Sequence, residues 1–447
     1  MKHQAQKSIF SLENLFLTSL ILEPLLFFVL ADRNTFGFNI NISRILQVIV
    51  ILSLIIKFLI FRSRIVVSNK VLKLASGYIL YTCYMVGLTI IGIFTSVYGK
   101  SPYNLLPPRV IVEVIISIYY FIYFAILPMY FFRSHASKLK VMGVIKTTFV
   151  IFLFLGFLDL FLFRLGLPSI PRHIGDVEVG FRFHSIAGEP RDAAIFLIFC
   201  LSSMYLFKIY DASFKISNTL VLTSITALIL TVSVSAILSM AFIFILLFLY
   251  FLRMNFLTFS LIKSTYFLFF IAISTYILYL LVLSSERMEL YINAFEVLYG
   301  LLKQGLVPET LSGQMVNIYP IWQRFQELID FNFFGIIFGS GMGSSSILNN
   351  VFYDSANLST GELLNPHANI IRLFYEGGIL GSIFFLFGFI YSFKYLELNT
   401  NELTYVNYLF LVIFGAFMAH RSLIFFIFVG LIFMLFSRKN TYDSKKI

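Results

Sequence analysis

Residues 141–163 read VMGVIKTTFVIFLFLGFLDLFLF, with one lysine, Lys146, and one acid, Asp159, among them. A helix rising 1.5 Å per residue needs about 20 apolar residues to cross a hydrocarbon layer roughly 30 Å thick, and this stretch supplies them. Similar runs recur along the chain. Twelve spans are expected, at about 14–31, 45–61, 74–95, 110–132, 141–163, 192–207, 217–232, 235–252, 264–283, 368–393, 404–418 and 422–436. A membrane barrel would instead show segments of about ten residues alternating apolar and polar, and these runs are solidly apolar. The first run follows a polar start and has no small-residue cleavage site behind it, so it reads as a retained helix. The expectation is a single all-α integral membrane domain over residues 1–447 with about 12 transmembrane helices.

Composition agrees. Of 447 residues, 59% are hydrophobic and 12% charged, against roughly 45–50% and ~25% in soluble domains. With 55 Phe, 25 Tyr and a mean hydropathy of +0.90, one water-facing core cannot hide the apolar surface. Soluble enzymes, disordered chains and disulfide scaffolds are thereby excluded. Cys83 and Cys200 lie inside apolar runs and read as small apolar residues, with no metal or redox chemistry.

Lys and Arg accumulate on the cytoplasmic side of membrane proteins. With both termini inside, the inner segments hold 18 basic residues in about 75 positions and the outer ones 12 in about 144. The net charge of +11 is thus mainly a topology signal and calls for no nucleic-acid partner. The two sets also differ in kind. The inner one is 13 Lys and 5 Arg, whereas the outer one is 10 Arg (33, 44, 109, 164, 172, 182, 191, 287, 324, 421) with Lys100 and Lys303. A guanidinium grips phosphate or carboxylate through a planar fork, so an outward Arg cluster points to an anionic ligand, although single Arg residues also snorkel to lipid phosphates.

Two outer loops are too long to be connectors: 164–191, and 284–367, which contains Trp322. Apolar spacing over 288–302 and 318–328 predicts short amphipathic helices on, or dipping into, the membrane face. Gly335, Gly339, Gly341 and Gly343 then break any helix, without the lysine of a nucleotide loop. In the tenth span Arg372 and Glu376 stand i,i+4, as do Arg109 and Glu113 at the mouth of the fourth. Such pairs lower the cost of burial, and charges within a span face a bundle interior or a wet cavity. Asp159 is expected to pair with Arg164, and Gly377, Gly378 and Gly381 to give a flat face for close packing.

These residues together resemble a known family. Arg324, ten residues and Gly335 are followed by FGSGMG at 338–343, then by NPHANIIRLFYEGGILG from Asn365 to Gly381. Arg182 opens RFHSIAGEP ahead of another span. The combination is similar to the O-antigen polymerase and ligase superfamily, the Wzy-type and WaaL-type membrane glycosyltransferases. It departs from that pattern where Ala368 separates His367 from Asn369 and where Ser185 replaces a glycine. The resemblance implies a GT-C-like fold in the cytoplasmic membrane of a bacterium. It also implies a polymerase that joins oligosaccharide units carried on polyprenyl (undecaprenyl) pyrophosphate into O-antigen or capsular polysaccharide on the outer face. Membrane lipids and a chain-length regulator protein are the further partners expected, and no cofactor or metal is. The catalytic candidates it marks are His367, Arg324, Arg182 and Glu189, and the substrate-binding ones Arg191, Asn369, Arg372, Glu376 and Gly335. A ligase transferring the glycan to a lipid or protein is the alternative. A lipid-glycan flippase is the second, disfavoured because the two halves show no internal repeat.

Overall fold

The computed structural model describes residues 11–25, 29–31, 40–61, 69–94, 106–167, 182–187, 190–231, 286–304, 315–344, 369–417 and 423–437. Helix α1 (Leu12–Leu22) is followed by strands β1 (Val29–Ala31) and β2 (Ile40–Asn41), which pair antiparallel. Then come α2 (Ile42–Phe61), α3 (Asn69–Phe94) and α4 (Leu106–Tyr120). A π-helical turn, Phe121–Ile126, joins α4 to α5 (Leu127–Phe131), just ahead of Pro128, which has no N–H to continue the ladder. After α6 (His135–Arg164) a 3-10 turn at Ser185–Ala187 leads to α7 (Pro190–Tyr210) and α8 (Asn218–Leu230). The second half holds α9 (Glu286–Lys303), α10 (Met315–Ile329), α11 (Phe334–Phe338), α12 (Asn369–Phe393), α13 (Thr400–Phe417) and α14 (Leu423–Phe436).

Among the described residues six helical stretches are long and apolar enough to cross a membrane: Ile42–Ile60, Asn69–Ile91, Ile111–Phe131, His135–Arg164, Pro190–Tyr210 and Arg372–Phe393. Shorter apolar helices, α1, α8 and α14 among them, pack with these, and the chain is a polytopic, essentially helical membrane protein. Among the described residues the short β1–β2 pair departs from an all-α reading, and the span expected at 14–31 is an 11-residue helix ending at Leu22, with β1 occupying Val29–Ala31. The runs expected at 235–252 and 264–283 lie outside the described residues.

The core is aromatic. Helix α14 has no polar face, and Ile424 to Phe436 are all buried, as expected of a helix apolar on every side. It lies against the π turn, α5, α7 and α13. The most extensive pairing among the described helices is α3 with α12. Gly77 and Gly388 meet there so closely that a Cβ on either would enter the other's backbone.

The ends of the helices sort by charge. Lys138 at the start of α6 donates to the Leu435 carbonyl at the end of α14 (2.9 Å), and Lys140 donates to Asn14 at the start of α1. Lys70 at the start of α3 pairs with Glu397 beyond α12 at 2.6 Å. Both termini of the described chain therefore share a lysine-rich end of the bundle, and the opposite end carries Arg182, Arg324 and Arg372.

Candidate functional site

Helix α12 is broken at Gly378, whose φ of 63° and ψ of −165° are closed to residues with a Cβ. The break takes away the helical donors that the Tyr375 and Glu376 carbonyls would otherwise bond. Both carbonyls are satisfied by the glycine-rich turn after α11, through Ser340 N–H (3.1 Å) and Gly341 N–H (2.8 Å). Gly339, at φ 83°, passes so close to Gly377 and Gly378 that neither Gly339 nor Gly378 has room for a side chain. From the other side, Tyr84 on α3 donates to the Phe338 carbonyl at 2.7 Å, and the Thr89 hydroxyl accepts from Met342 N–H at 2.9 Å. The turn is thus held between two membrane helices.

Arg324 on α10 locks this joint. It is 3% exposed. Nη1 donates to both Glu327 carboxylate oxygens, at 2.8 and 2.6 Å. Nη2 donates to the Ser340 hydroxyl at 2.6 Å and to the Tyr375 carbonyl. The guanidinium also lies over the Tyr375 ring, 4.1 Å from its centroid. Gly335 is required below it, because a Cβ there would meet Nη1 and the Glu327 carboxylate. Four of the five guanidinium N–H groups are therefore engaged, and Nε is a buried donor with no partner among the described residues. Tyr319, one helical turn and a residue earlier, is buried, which pushes its phenol up to about 12 and keeps it a proton donor at neutral pH.

A second charged group lies nearer the start of α12. Arg372 Nε donates to Glu376 at 3.3 Å, the i,i+4 pair expected, and Nη2 donates to Glu113 of α4, also at 3.3 Å. Glu376 is fully buried. An arginine between two carboxylates within a membrane span is costly and marks functional surface in general.

Arg182 belongs to a different neighbourhood at the same end of the bundle. Its Nε donates to the Thr231 carbonyl at 2.8 Å, closing the end of α8, and Phe183 N–H bonds the Leu230 carbonyl beside it at 2.9 Å. His184 is buried, with Nδ1 2.8 Å from the Ser185 carbonyl and Nε2 3.4 Å from Asp159. Asp159, expected beside Arg164, thus faces a histidine reached across the loop. Arg191, in the first turn of α7, contacts Asp192 at 3.2 Å.

The structure gathers Arg324 and Gly335, and sets Arg372 and Glu376 in the helix they pack against. Arg182 and Arg191 lie against α6, α7 and α8. His367 and Glu189 fall outside the described residues, as does the Asn369 side chain. Glu327, Ser340, Tyr375, Tyr84 and Glu113 were not singled out from the sequence as members of this site. Glu327 follows Arg324 by three residues and was legible as a helical pair. Glu113 was legible as an i,i+4 partner of Arg109, whose side chain lies outside the described residues, but not as the partner of Arg372; the others are brought in by distant parts of the chain and leave no local pattern. No group of three or more His, Cys, Asp or Glu able to hold a metal occurs among the described residues.

No curated protein and no solved structure matches the chain. Residues 219–386, which take in Arg324, Gly335, Arg372 and Glu376 but not Arg182, Glu189 or Arg191, match the model of the Wzy_C family, O-Antigen ligase, as is consistent with an integral membrane protein of the O-antigen ligase and polymerase superfamily that works on glycans.

Proposed function

We propose that the protein is a polysaccharide polymerase, moving a growing glycan from its polyprenyl-pyrophosphate carrier onto the next lipid-linked unit at the arginine-rich end of the bundle. The observation that carries this reading is the cluster of Arg324, Arg372, Glu113, Glu327 and Glu376 around a broken membrane helix. In the reaction an acceptor hydroxyl oxygen bonds to the anomeric carbon, the bond from that carbon to the diphosphate oxygen breaks, and the hydroxyl proton passes to a base. The leaving diphosphate drives the transfer, so no nucleotide is needed.

The cluster alone carries three carboxylates against two guanidinium groups. It therefore suits the acceptor's hydroxyl groups better than a bare diphosphate, with Glu376 and Glu113 orienting them. Charge on the departing diphosphate is assigned to Arg182 and Arg191, with Arg324 Nε–H as a further donor. His367, two residues before α12, is assigned as the base, with Glu189 as the other proton acceptor. Asn369 begins the same helix and is placed against the acceptor. The lysine-rich end is assigned to the cytoplasm and the membrane to the inner membrane of a bacterium.

Purified protein in nanodiscs, given polyprenyl-pyrophosphate oligosaccharide, is expected to yield a ladder of longer lipid-linked glycans. The ladder should be lost in Arg372→Ala and His367→Ala proteins that still elute as folded monodisperse species. The family model's description favours one second reading, a ligase. Transfer only when a separate lipid or protein acceptor is added would establish it in place of the polymerase.

A further inference from the structure

The end of α10 carries an aromatic where its backbone asks for glycine. Phe331 has φ 54°. Its N–H bonds the Leu328 carbonyl at 3.2 Å, and the next residue, Asn332, reaches back to the Glu327 carbonyl at 2.8 Å. This pair of hydrogen bonds is the usual left-handed helix C-cap, a position that glycine fills without strain. A side chain there strains the backbone. The ring gains little from the protein in exchange, since Phe331 is 82% exposed and meets the Phe333 ring edge-on at a centroid distance of 6.4 Å. Phe333 and Phe334, just beyond it, are also exposed, as are Ile321, Phe325, Leu328 and Ile329 on the outer face of α10. In water this would be a strained, fully wetted aromatic inside a large apolar patch.

The depth of the element argues against water. Its continuation, the glycine turn after α11, bonds to the Tyr375 and Glu376 carbonyls of α12, inside a span that begins at Arg372. At 1.5 Å per residue these contacts lie about 5–6 Å along that span. The apolar face of α12, Ile379, Ile383 and Phe387, and that of α3, Leu80, Ile90 and Ile91, are exposed as well and form the belt that lipid covers. The phenylalanine turn leads into α11, which packs against α12.

We propose that Phe331, Phe333 and Phe334 form a wedge inserted among the acyl chains of the leaflet at the arginine-rich end, anchoring the α10–α11 element and hence Arg324 at a fixed height. This does not depend on the glycan-transfer reading. Trp322 is the chain's only tryptophan, so a Trp322→Phe background makes a single reporter available. In that background Phe331→Trp, and separately Phe334→Trp in case the first does not fold, would be placed in phosphatidylcholine nanodiscs. Lipids with a spin-label quencher high or low on the acyl chain are compared with aqueous iodide.

Quenching by the lipid-borne groups, strongest for the shallow one, with iodide ineffective, is the expected result. Strong iodide quenching with no lipid effect would overturn the proposal in favour of a water-exposed turn. Protection from both would overturn it in favour of burial under another part of the chain or a second copy. Phe331→Gly supplies the independent check. It relieves the backbone, so the detergent-solubilised variant should be at least as heat-resistant as the parent, while its thermal stabilisation on transfer into nanodiscs should shrink. An unchanged gain on transfer would contradict the wedge.

Discussion

Arg324 shows what a guanidinium can do that an ammonium cannot. Its fork meets a carboxylate on one nitrogen, a hydroxyl and a carbonyl on the other, and an aromatic face below. Arg324→Lys keeps the charge but can reproduce only part of this geometry. Elongation is expected to fall by more than tenfold, with the protein still folded. Glu327→Gln removes the counter-charge instead, leaving a buried cation uncompensated. That should cost about 3 kcal/mol, the scale for breaking one partner of a buried pair, and should lower the midpoint of thermal unfolding more than Arg324→Lys does. The reverse order would mean that the fork, and not the charge pair, holds the joint. The sequence made Arg324 and Gly335 visible because their spacing resembles a family pattern, but not what they touch. Ser340 and the Tyr375 carbonyl are brought to the guanidinium by chain folding over 16 and 51 residues, beyond the reach of any helical period.

The apolar runs announced the long helices to within a few residues, because burial in lipid imposes both their length and their composition. Breaks within them are harder to read. Gly377, Gly378 and Gly381 were expected to act alike as a flat packing face. Gly377 and Gly381 do, meeting Met85 and Tyr84 of α3, whereas Gly378 turns left-handed and ends the first segment of α12. What separates them is the turn from residues 338–342, which satisfies the carbonyls that the break exposes. Alanine substitution should tell the two roles apart. At Gly377 the new methyl group would lie 3.3 Å from the flexible Met85 sulfur and should cost little. At Gly378 it would combine a disfavoured φ with the backbone of Ile337 and Gly339. Gly378→Ala should therefore lower the unfolding midpoint clearly and expose the 338–342 turn to protease, with Gly377→Ala close to the parent in both assays. Equal behaviour of the two variants would show that the break is not needed to seat the turn.

At the scale of the molecule, the asymmetry between lysine and arginine in the sequence becomes a division between two ends of one bundle. Lys70, Lys138 and Lys140 sit where α3, α6 and α1 begin and where α12 and α14 finish. Arg182 closes the far end of α8, and Arg372 lies near the start of α12, so successive helices run in alternate directions between the two. Electrostatics gives the orientation a physical cause, since lysines placed next to the spans resist translocation. The lysine-rich end is accordingly expected to face the cytoplasm. Single cysteines in a chain carrying Cys83→Ser and Cys200→Ala would test this in intact cells with a membrane-impermeant maleimide. Leu167→Cys, just past the end of α6 near Asp159, should label from outside. Ser213→Cys, in the short exposed turn between α7 and α8, should label only after the cells are opened. The opposite pattern would invert the molecule and put the arginine-centred cluster on the cytoplasmic face, where a lipid-linked glycan already carried across the membrane could not reach it.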